Sequence, residues 1–479
     1  MQNPIFTIPP RHAGGLKVTS PADGSLIAEL ATDEAADLET KIRRAAAAQV
    51  LWAKASRSVR AAALEALSAD IRAQRELLAG LIALEGGKTL KEALGEADSS
   101  ADVILKTLKN ATLPELSGMA RCKERPPVGI VGLITSFNFP LVVANWTLAP
   151  ALLAGNAVLW KPSEKTPLTA LAFKAVFDEA FGEHKDLLHI VIGTRDIGAA
   201  LVAHESIDMI SATGSVAMGE GIKTALACKR NHGVKPILEL GGNNGVIVSD
   251  KMSESQFEWS LNALLNSFLG TTGQRCTNTR RLIVHRSLYD KTVSILTRKI
   301  ADFNWEEYGY NALIDEDAYK RFEHAKQQAQ QQNGSIVMGN RLHPESGGYY
   351  AEPALALMPS HSAIMQEETF APLLFITPYD GDIDEAIRLV NLPANAGLVN
   401  AIYTQSQAEA DRFAALNEAG HSLINSPKGT GTPAFDMGFG GNKASGEGEI
   451  LNAADPLRAF TRDTHFSRVA QNTDVVMDK

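Results

Sequence analysis

Residues 268–281, FLGTTGQRCTNTRR, combine one cysteine with glycines and positive charge. Glycines allow backbone conformations and close approaches that other residues do not. The charges of Arg275, Arg280 and Arg281 favour the thiolate, which is the nucleophilic form of cysteine. The stretch therefore predicts that Cys276 is a nucleophile with a lowered pKa. The alternative is that Cys276, like many lone cysteines, is a small buried apolar residue.

Two other polar residues stand where they would complete such a site. TSFNFP follows the apolar run VGIVGLI, so the side-chain amide of Asn138 is placed to donate to an oxyanion. PILELGGNN puts Glu239 at the end of an apolar run, where a half-buried carboxylate has a raised pKa and can activate water as a general base. The alternatives are that Asn138 caps the following helix and that Glu239 pairs with a lysine.

A glycine-rich turn at 210–221, ISATGSVAMGEG, has the composition of a phosphate site. A strand ends there and a helix begins at Ser215, so backbone N–H groups and the positive end of the helix dipole would face an anion. Gly214 and Gly219 are expected to keep the turn tight. The turn is equally consistent with an ordinary strand–helix connection.

A second turn, LWKPSEKTP at 159–167, follows another strand. The carboxylate of Glu164 is placed to hold both hydroxyls of an adenosine ribose, and Lys161 can bond the same sugar. Glu164 would repel a 2′-phosphate, which favours NAD over NADP. The alternative is a surface turn with solvated charges.

Composition and charge narrow the class of protein. A chain of 479 residues exceeds one ordinary core, so two or three domains are expected. The formal net charge of −9 argues against nucleic acid as a partner, because binding to phosphates needs a basic surface. No apolar run is long enough to cross a bilayer, so no membrane association is expected.

Cysteine usage and the N-terminus predict a compartment. Cys122, Cys228 and Cys276 are too few for a disulfide framework and lack the spacing of a zinc site, so no metal is expected. MQNPIFTIPPRHAGG lacks the apolar segment of a secretory signal. These features predict a reducing, cytoplasmic location.

The elements that would position these residues form successive blocks. Residues 4–21 are expected to be irregular. Helical periodicity follows at 32–55, 59–84 and 88–109. Strands and helices then alternate from 123 to 236, and again from 236 to 426. Such alternation predicts an α/β fold with parallel, doubly wound sheets that bind ligands at the carboxyl ends of their strands.

The motifs occur in an order that resembles the aldehyde dehydrogenase superfamily along essentially the whole chain. In sequence they are FNFP, KPSE, TGSVAMG, ELGGN, GQRC and EETFAP. ELGGNN, GQRCTNTRRL, the alanine of ETFAP and FGGNKASGEG most resemble the antiquitin branch, whose members oxidise α-aminoadipic semialdehyde. ELGGNN, GQRCT-x-x-RRL and the FNW stretch at Phe303 also resemble succinylglutamic semialdehyde dehydrogenases, whereas Trp146 matches the aromatic of antiquitin-like and general members. The loop GTPAFDMGFGG departs from the antiquitin pattern.

The resemblance implies a role for each motif. Cys276 is the nucleophile, Asn138 and the backbone N–H of Cys276 form the oxyanion hole, and Glu239 is the general base. NAD, with NADP as the alternative, would be bound by Lys161, Ser163, Glu164, Gly214, Ser215, Gly219, Glu368 and Phe370. The aldehyde tunnel would be lined by Phe137, Trp146, Arg275 and Phe439.

The resemblance also implies two Rossmann-like domains and a small β extension for oligomerisation. The NAD-binding domain would comprise 1–108 and 128–236, and the catalytic domain 237–430. Strands in 109–127 and 459–479 would join subunits into a homodimer or homotetramer. Residues 431–458 would return to line the substrate entrance.

The predicted reaction is NAD-dependent oxidation of an aldehyde to its carboxylic acid through a cysteine thioester. Arg275 can pair with a substrate carboxylate, which favours a semialdehyde of the α-aminoadipic type, or it can support its own loop. The alternatives are a broad-specificity aliphatic or aromatic aldehyde dehydrogenase, a succinylglutamic semialdehyde dehydrogenase-like enzyme, and a cysteine amidohydrolase that uses Cys276, Glu239 and a lysine.

Overall fold

The computed structural model describes residues 5–111, 125–229, 234–303, 310–392, 395–431, 438–449, 451 and 455–462. The helices are α1 Ala35–Trp52, α2 Arg57–Ala73, α3 Arg75–Gly86, α4 Leu90–Asn110, α5 Val142–Ala154, α6 Pro167–Phe181, α7 Arg195–Ala203, α8 Val216–Ala227, α9 Glu254–Leu269, α10 Arg286–Ala301, α11 Glu316–Gln331, α12 Ile383–Val390 and α13 Gln407–Leu416. The strands are β1 Leu16–Thr19, β2 Leu26–Leu30, β3 Ile130–Ile134, β4 Ala157–Lys161, β5 Leu188–Ile190, β6 Met209–Thr213, β7 Lys235–Glu239, β8 Asn244–Val248, β9 Thr279–His285, β10 Ser335–Met338, β11 Arg341–Leu342, β12 Tyr350–Ala351, β13 Ala354–Leu357, β14 Leu373–Tyr379, β15 Ala396–Gly397, β16 Val399–Tyr403, β17 His421–Ile424, β18 Asn442–Lys443 and β19 Gly446–Glu447. The predicted α/β class is confirmed.

The first sheet has six strands in the order β19-β7-β6-β3-β4-β5. The pairs from β7 to β5 are all parallel, and only the short β19 runs antiparallel, against β7. The chain leaves β3 first towards β4 and β5 and then crosses to β6 and β7. A crevice opens at the carboxyl ends of the strands where the order reverses, so the crevice of this sheet lies beside β3.

The strand that ends at Glu239 belongs to this first sheet. Ile237 and Leu238 are buried and pair with β6 before two glycines end the strand. The two sheets therefore divide after Glu239, and the predicted boundary between residues 236 and 237 cut through a strand. The assignment of whole domains remains a prediction.

The second sheet has seven strands in the order β10-β13-β14-β9-β8-β16-β17. Only the edge strand β10 is antiparallel to its neighbour. Its central strands β8, β9, β14 and β16 are buried along nearly their whole length, as strands covered on both faces are. The loop that carries Cys276 connects α9 with β9 and so enters the middle of this sheet.

The N-terminal region differs from the prediction in two places. β1 and β2 form an antiparallel hairpin where an irregular segment was expected, because Val18 and Leu30 are buried despite the surrounding glycines and prolines. The single helix predicted over 59–84 is two helices, α2 and α3. They separate at Gln74, whose backbone (φ −101°, ψ 18°) is not helical.

The long helix α4 presents polar residues on its buried face. Thr89 caps its N-terminus by accepting a hydrogen bond from the Glu92 amide at 3.2 Å. Glu96 and Ser100 are buried together with Ala93 and Ala97 at helical spacing. Since α5 packs against this face, the polar side chains of α4 meet the element that follows Asn138.

The predicted oligomerisation strands, and Cys122 with them, lie largely outside the described residues. At the described ends of these segments, Pro127 and Thr461 form an antiparallel bridge, and the Val128 amide donates to Phe460 O at 3.2 Å. None of the helices in the described part of the chain is both long and apolar enough to cross a bilayer.

Candidate active site

The carboxyl edge of the first sheet gathers several of the predicted site residues. Ile134, the last residue of β3, lies opposite Lys161 at the end of β4 and Ala212 near the end of β6. Glu239 lies opposite Thr213 at the end of β7. The turns that follow these four strands therefore meet at one edge.

The loop that carries Cys276 has an unusual backbone that is held by side chains. Thr271 and Thr272 have positive φ angles of 49° and 52°. Such left-handed conformations cost energy for residues other than glycine and cluster at functional sites. The Asn278 amide donates to Phe268 O at 2.9 Å, and the Asn244 amide donates to Cys276 O at 2.7 Å. These bonds fix the loop on both sides of the cysteine.

The electrostatic surroundings of Cys276 differ from the expectation. Burial, together with the negative charges of Glu368 and Glu239, raises the pKa of the half-buried Cys276 thiol to about 12. Arg280 alone among the three neighbouring arginines lowers it. The prediction of a lowered pKa is therefore wrong for this structure.

Arg281 binds backbone carbonyls, and Arg275 binds side chains that hold the cysteine loop. The Arg281 guanidinium donates to Asn243 O at 2.6 Å and to Leu389 O at 2.9 Å, so it ties the GGNN turn to α12. The Arg275 guanidinium donates to Thr271 Oγ1 at 2.9 Å and pairs with Glu92 at 3.3 Å. The charges of both arginines are thus directed away from the thiol.

The carboxyl group of Glu239 is buried and incompletely bonded. Its residue is 4% exposed, and burial raises its pKa well above the usual range. Oε2 has no hydrogen-bond partner among the described residues. The predicted alternative of a pairing lysine is therefore not found there. A buried carboxyl group of this kind destabilises the folded state, and such groups are common at functional sites.

The two glycines after Glu239 leave room for other site residues. A Cβ at Gly241 would lie 2.2 Å from Glu368 Oε2, and one at Gly242 would lie 2.5 Å from Cys276 O. Gly242 N also donates to Glu368 Oε1 at 3.1 Å, and Arg280 lies 4.0 Å from the same oxygen. Burial raises the pKa of Glu368, and Arg280 and this amide partly offset the effect.

Asn138 lies beside the cysteine loop. Its amide nitrogen donates to Gln274 O at 2.8 Å, and its amide oxygen accepts from Ser136 Oγ at 2.7 Å. Asn138 does not cap α5, whose N-cap is Leu141 without a side-chain bond. An amide nitrogen has two N–H donors, so one is left for an oxygen atom bound between Asn138 and Cys276.

The glycines of the turn between β6 and α8 allow close packing against neighbouring side chains. Ser215 caps α8 by accepting from the Met218 amide at 3.2 Å. Neither Gly214 nor Gly219 has a positive φ. A Cβ at Gly219 would instead lie 2.4 Å from Leu240 Cδ1, and Gly214 N donates to Glu239 O at 3.0 Å. A Cβ at Gly214 would lie 2.6 Å from Met218 Cε, so Gly214 lets the turn pack against the first turn of α8, and Gly219 lets α8 approach Leu240, which follows β7. That the two glycines keep the turn tight stays a prediction.

The turn after β4 carries opposite charges. Lys161 is buried, and its ammonium lies 3.1 Å from Pro162 O and 3.3 Å from Glu164 Oε2. The Glu164 side chain is 44% exposed. Ser163 Oγ accepts from the Lys165 amide at 3.3 Å, and Lys165 forms an ion pair with Asp315 at the start of α11.

Aromatic rings line two sides of this edge. Phe370, with a positive φ of 54°, meets the Phe137 ring edge-on at 5.9 Å, and the Arg280 guanidinium lies 5.4 Å from the Phe370 ring. On the other side, the Trp146 and Phe439 rings lie 5.0 Å apart. The centre of the His421 ring lies 5.6 Å from that of the Phe439 ring, and the two rings are tilted by 31°.

Sequence reasoning missed Glu92. Burial would raise the pKa of Glu92, but the charges of Arg275 and Lys88 and bonds from Thr271 and Asn311 hold it below the usual range. The Thr271 amide and hydroxyl each donate to its carboxylate at 3.1 Å. The only signal in the sequence was a glutamate in the first turn of a helix, which is common on solvated helices.

The family model described as "Aldehyde dehydrogenase family" matches residues 9–466. Alpha-aminoadipic semialdehyde dehydrogenase of Bos taurus is 30% identical over an alignment of 458 residues that covers 92% of this chain and 83% of that protein. Aldehyde dehydrogenase family 7 member A1 of Pisum sativum is 30% identical and covers 93% of this chain and 89% of its own.

Solved structures agree with these relatives. Gamma-glutamyl-gamma-aminobutyraldehyde dehydrogenase of Burkholderia cenocepacia superposes with a TM-score of 0.86 at 28% identity, over 95% of this chain and 93% of its own. Indole-3-acetaldehyde dehydrogenase in complex with NAD+ does so with a TM-score of 0.86 at 27% identity, over the same shares. The amidohydrolase alternative is therefore set aside: the chain belongs to the aldehyde dehydrogenase family and is an oxidoreductase.

Proposed function

We propose that this enzyme oxidises an aldehyde to its carboxylic acid with NAD, through a thioester on Cys276. One observation supports this above the others. The buried carboxyl group of Glu239 has an oxygen without a partner among the described residues, and it lies near enough to raise the pKa of the Cys276 thiol. A nucleophile beside an unsatisfied buried base suits a reaction that activates first a thiol and then water.

The residues at the sheet edge suit a dinucleotide. The N-terminus of α8 offers N–H groups to a pyrophosphate beside Gly214 and Ser215. Lys161 and Glu164 offer a donor and an acceptor to the adenosine ribose, and the Glu164 carboxylate would repel a 2′-phosphate. Glu368 and Phe370 would hold the other ribose and ring. Bound NAD would supply a hydride acceptor, and the NAD+ complexes among the matched structures support this cofactor.

Acylation would begin with loss of the thiol proton. Because burial raises the pKa of Glu239, this carboxylate is a stronger base than an exposed one and can accept that proton. The thiolate then adds to the aldehyde carbonyl. The free N–H of the Asn138 amide and the Cys276 amide would donate to the resulting oxyanion, and loss of hydride from the adduct leaves a thioester.

Deacylation would use Glu239 a second time. After the first proton has passed from Glu239 to solvent, the carboxylate would take a proton from water, whose oxygen attacks the thioester. Glu239 then returns this proton to the departing thiolate, so the thiol is restored as the acid leaves. General base catalysis of this kind contributes typically about 10²–10⁴-fold in rate. A hydrolytic carboxylate at this position favours release of a free acid.

Reduced-nicotinamide formation with NAD tests this reaction. Cys276→Ala should abolish turnover, and Asn138→Ala should lower kcat by about 10²–10³-fold. Glu239→Gln should lower kcat by about 10²-fold or more and allow a Cys276-linked acyl group to accumulate. Acid quenching and mass spectrometry of the cysteine peptide would detect that group. Turnover in Cys276→Ala, or no acyl group on any variant, would contradict the proposal.

We further infer that the aldehyde carries an α-amino acid head group. Arg275 directly precedes the nucleophile in the chain and pairs with Glu92 at 3.3 Å, and the two side chains are 33% and 28% exposed. A partly exposed pair of this kind is weak and can exchange partners. Its two charges complement the carboxylate and the ammonium of an amino acid, which matches the substrate named for the bovine relative.

Three aldehydes of equal chain length separate the possible roles of this pair. We expect kcat/KM to fall in the order α-aminoadipic semialdehyde, 6-oxohexanoate and hexanal. Glu92→Gln should raise KM for the amino semialdehyde by about tenfold, as the loss of one charged hydrogen bond does, and change KM for hexanal much less. An equal rise of KM for all three aldehydes in Glu92→Gln would mean that Arg275 and Glu92 only support the loop. The highest kcat/KM with hexanal would indicate a broad-specificity enzyme.

The compartment and the assembly remain proposals of the same kind. We expect a cytoplasmic enzyme that forms a homodimer or homotetramer through the segments around 109–127 and 459–479. The bridge between Pro127 and Thr461 supports neighbouring strands at the described ends of these segments.

A further inference from the structure

A buried ion pair lies beside the loop that carries Asn138. Lys88 Nζ is 2.6 Å from Glu96 Oε2, and the two side chains are 2% and 1% exposed. Burial of two ions costs several kilocalories per mole of desolvation, so such a pair is a poor way to gain stability. The reaction proposed above uses neither residue.

The second oxygen of Glu96 holds the backbone that follows Asn138. Oε1 accepts from Leu141 N at 2.9 Å and from Val142 N at 3.3 Å, at the beginning of α5. The first N–H groups of a helix have no partner within it, and a carboxylate there also meets the positive end of the helix dipole. Lys88 Nζ lies 4.0 Å from the centre of the Phe139 ring, next to Asn138 in the chain.

The same face of α4 holds the cysteine loop. Glu92 and Glu96 are four residues apart and so lie on neighbouring turns of one face. Glu92 accepts from the backbone and hydroxyl of Thr271, as described above, while Glu96 accepts from the start of α5. The two loops that would form the oxyanion hole are thus attached to one helix, one turn apart.

We propose that the Lys88–Glu96 pair positions the oxyanion hole, by setting the place of the Asn138 amide relative to Cys276. Glu96 is a positioning residue, because its bonds go to backbone N–H groups and to Lys88 and not to the reacting atoms. The inference rests on the thioester reaction proposed above. It predicts that Glu96 affects the rate only through Asn138.

A double-mutant cycle with Glu96→Gln and Asn138→Ala tests this. A glutamine cannot satisfy both sides of Glu96, since its amide nitrogen must face either Lys88 or the N–H groups of α5. Displacement of a catalytic group by a fraction of an ångström to 1 Å can cost up to about 10²-fold in rate, so Glu96→Gln should lower kcat by about 10–100-fold. KM for NAD should change by no more than about twofold. In the Asn138→Ala background, the same substitution should leave kcat nearly unchanged.

Ser100→Ala is the matched control. Ser100 Oγ accepts from the Asn145 amide at 2.5 Å, so it joins the same two helices one turn further along. This variant should lower the thermal midpoint as Glu96→Gln does and leave kcat unchanged. If Glu96→Gln does not fold, Glu96→Asp can replace it in the double-mutant cycle. Aspartate keeps the charge that pairs with Lys88, but its shorter side chain does not reach the N–H groups of α5 in the same way.

The outcomes separate this inference from the proposed reaction. Equal losses of kcat from the Glu96 substitution in the wild-type and Asn138→Ala backgrounds would overturn the positioning role alone. An unchanged kcat in Glu96→Gln would also overturn it. A fully active Asn138→Ala would overturn the proposed oxyanion hole, and the positioning role with it.

Discussion

At the scale of single residues, the charge state of Cys276 depends on burial more than on its neighbours in the chain. The sequence places three arginines within five positions of the thiol, yet only Arg280 acts on it. Arg275 and Arg281 bind a carboxylate and backbone carbonyls instead. The amino-acid sequence does not show which way a side chain points, so the predicted direction of the pKa shift of Cys276 was wrong.

The raised pKa predicts how the thiol reacts with alkylating agents. Since the pKa of Cys276 is about 12, the thiolate fraction should rise about tenfold per pH unit from pH 7 to 10 without reaching a plateau. The measurement is the rate of iodoacetamide incorporation into the Cys276 peptide by mass spectrometry.

Cys228 serves as an internal control for this experiment, because it is exposed. Its alkylation should be faster than that of Cys276 at neutral pH. A Cys276 rate that saturates below pH 8 would contradict the pKa assigned to the thiol.

At the scale of elements, two helix N-termini of the first sheet are held by buried carboxylates from the N-terminal helices. Glu96 of α4 binds the start of α5, and Glu85 of α3 binds the start of α6. Glu85 accepts from the amides of Leu168 and Thr169 at 2.8 and 2.7 Å. α6 directly follows the turn with Lys161 and Glu164, so these helices support both turns of the candidate site.

Glu85 makes stability depend on pH. Burial raises its pKa to about 7, although bonds from Thr169 and Leu168 oppose the shift. The folded protein therefore binds this proton more tightly than the unfolded chain does, and the associated stability is lost as pH rises from about 4.5 through 7. Between pH 5 and 8, the free energy of unfolding of the wild type should fall by on the order of 1–3 kcal/mol more than that of Glu85→Gln. The measurement is the thermal midpoint of both proteins over this pH range.

Glu76→Gln is the matched control for Glu85, because Glu76 lies on the same helix with its side chain 78% exposed. Its pH dependence should follow that of the wild type. Parallel curves for the wild type and Glu85→Gln would show that Glu85 does not titrate in this range.

Elements with capping residues and clear periodicity could be predicted from the sequence, and those without could not. α9 and α12 lie in the block 236–426, where alternating strands and helices were predicted, and both begin after a side-chain cap, at Ser253 and Asp382. α5 is buried on all sides and contains Pro150, so no amphipathic pattern marked it. Glu92 and Glu96 had the spacing of a solvated face, and only long-range packing places them against the loops of the candidate site.

At the scale of the whole molecule, the segment with β18 and β19 connects the two sheets next to the candidate site. β19 pairs with β7 so that Gly446 lies opposite Glu239, and β18 pairs with β15 next to the second sheet. The Leu240 amide donates to Ser445 O at 2.8 Å. Residues 431–458 were predicted to line the substrate entrance, and Phe439 in this segment contacts Trp146.

The buried hydroxyl of Ser445 is the centre of this junction. It donates to Gly241 O at 2.8 Å, beside Glu239, and accepts from Gly397 N at 2.9 Å, in β15. Ser445→Ala would leave a buried carbonyl and a buried N–H without partners, which costs about 1–3 kcal/mol each. We therefore expect a lower thermal midpoint and about 10-fold faster amide exchange at Gly397, measured by mass spectrometry. Thr292→Val is the control, because the buried Thr292 hydroxyl has no partner among the described residues; its loss should not lower the thermal midpoint and should leave exchange at Gly397 unchanged. If Ser445→Ala behaves like Thr292→Val, the two sheets are held together at this edge by contacts other than Ser445.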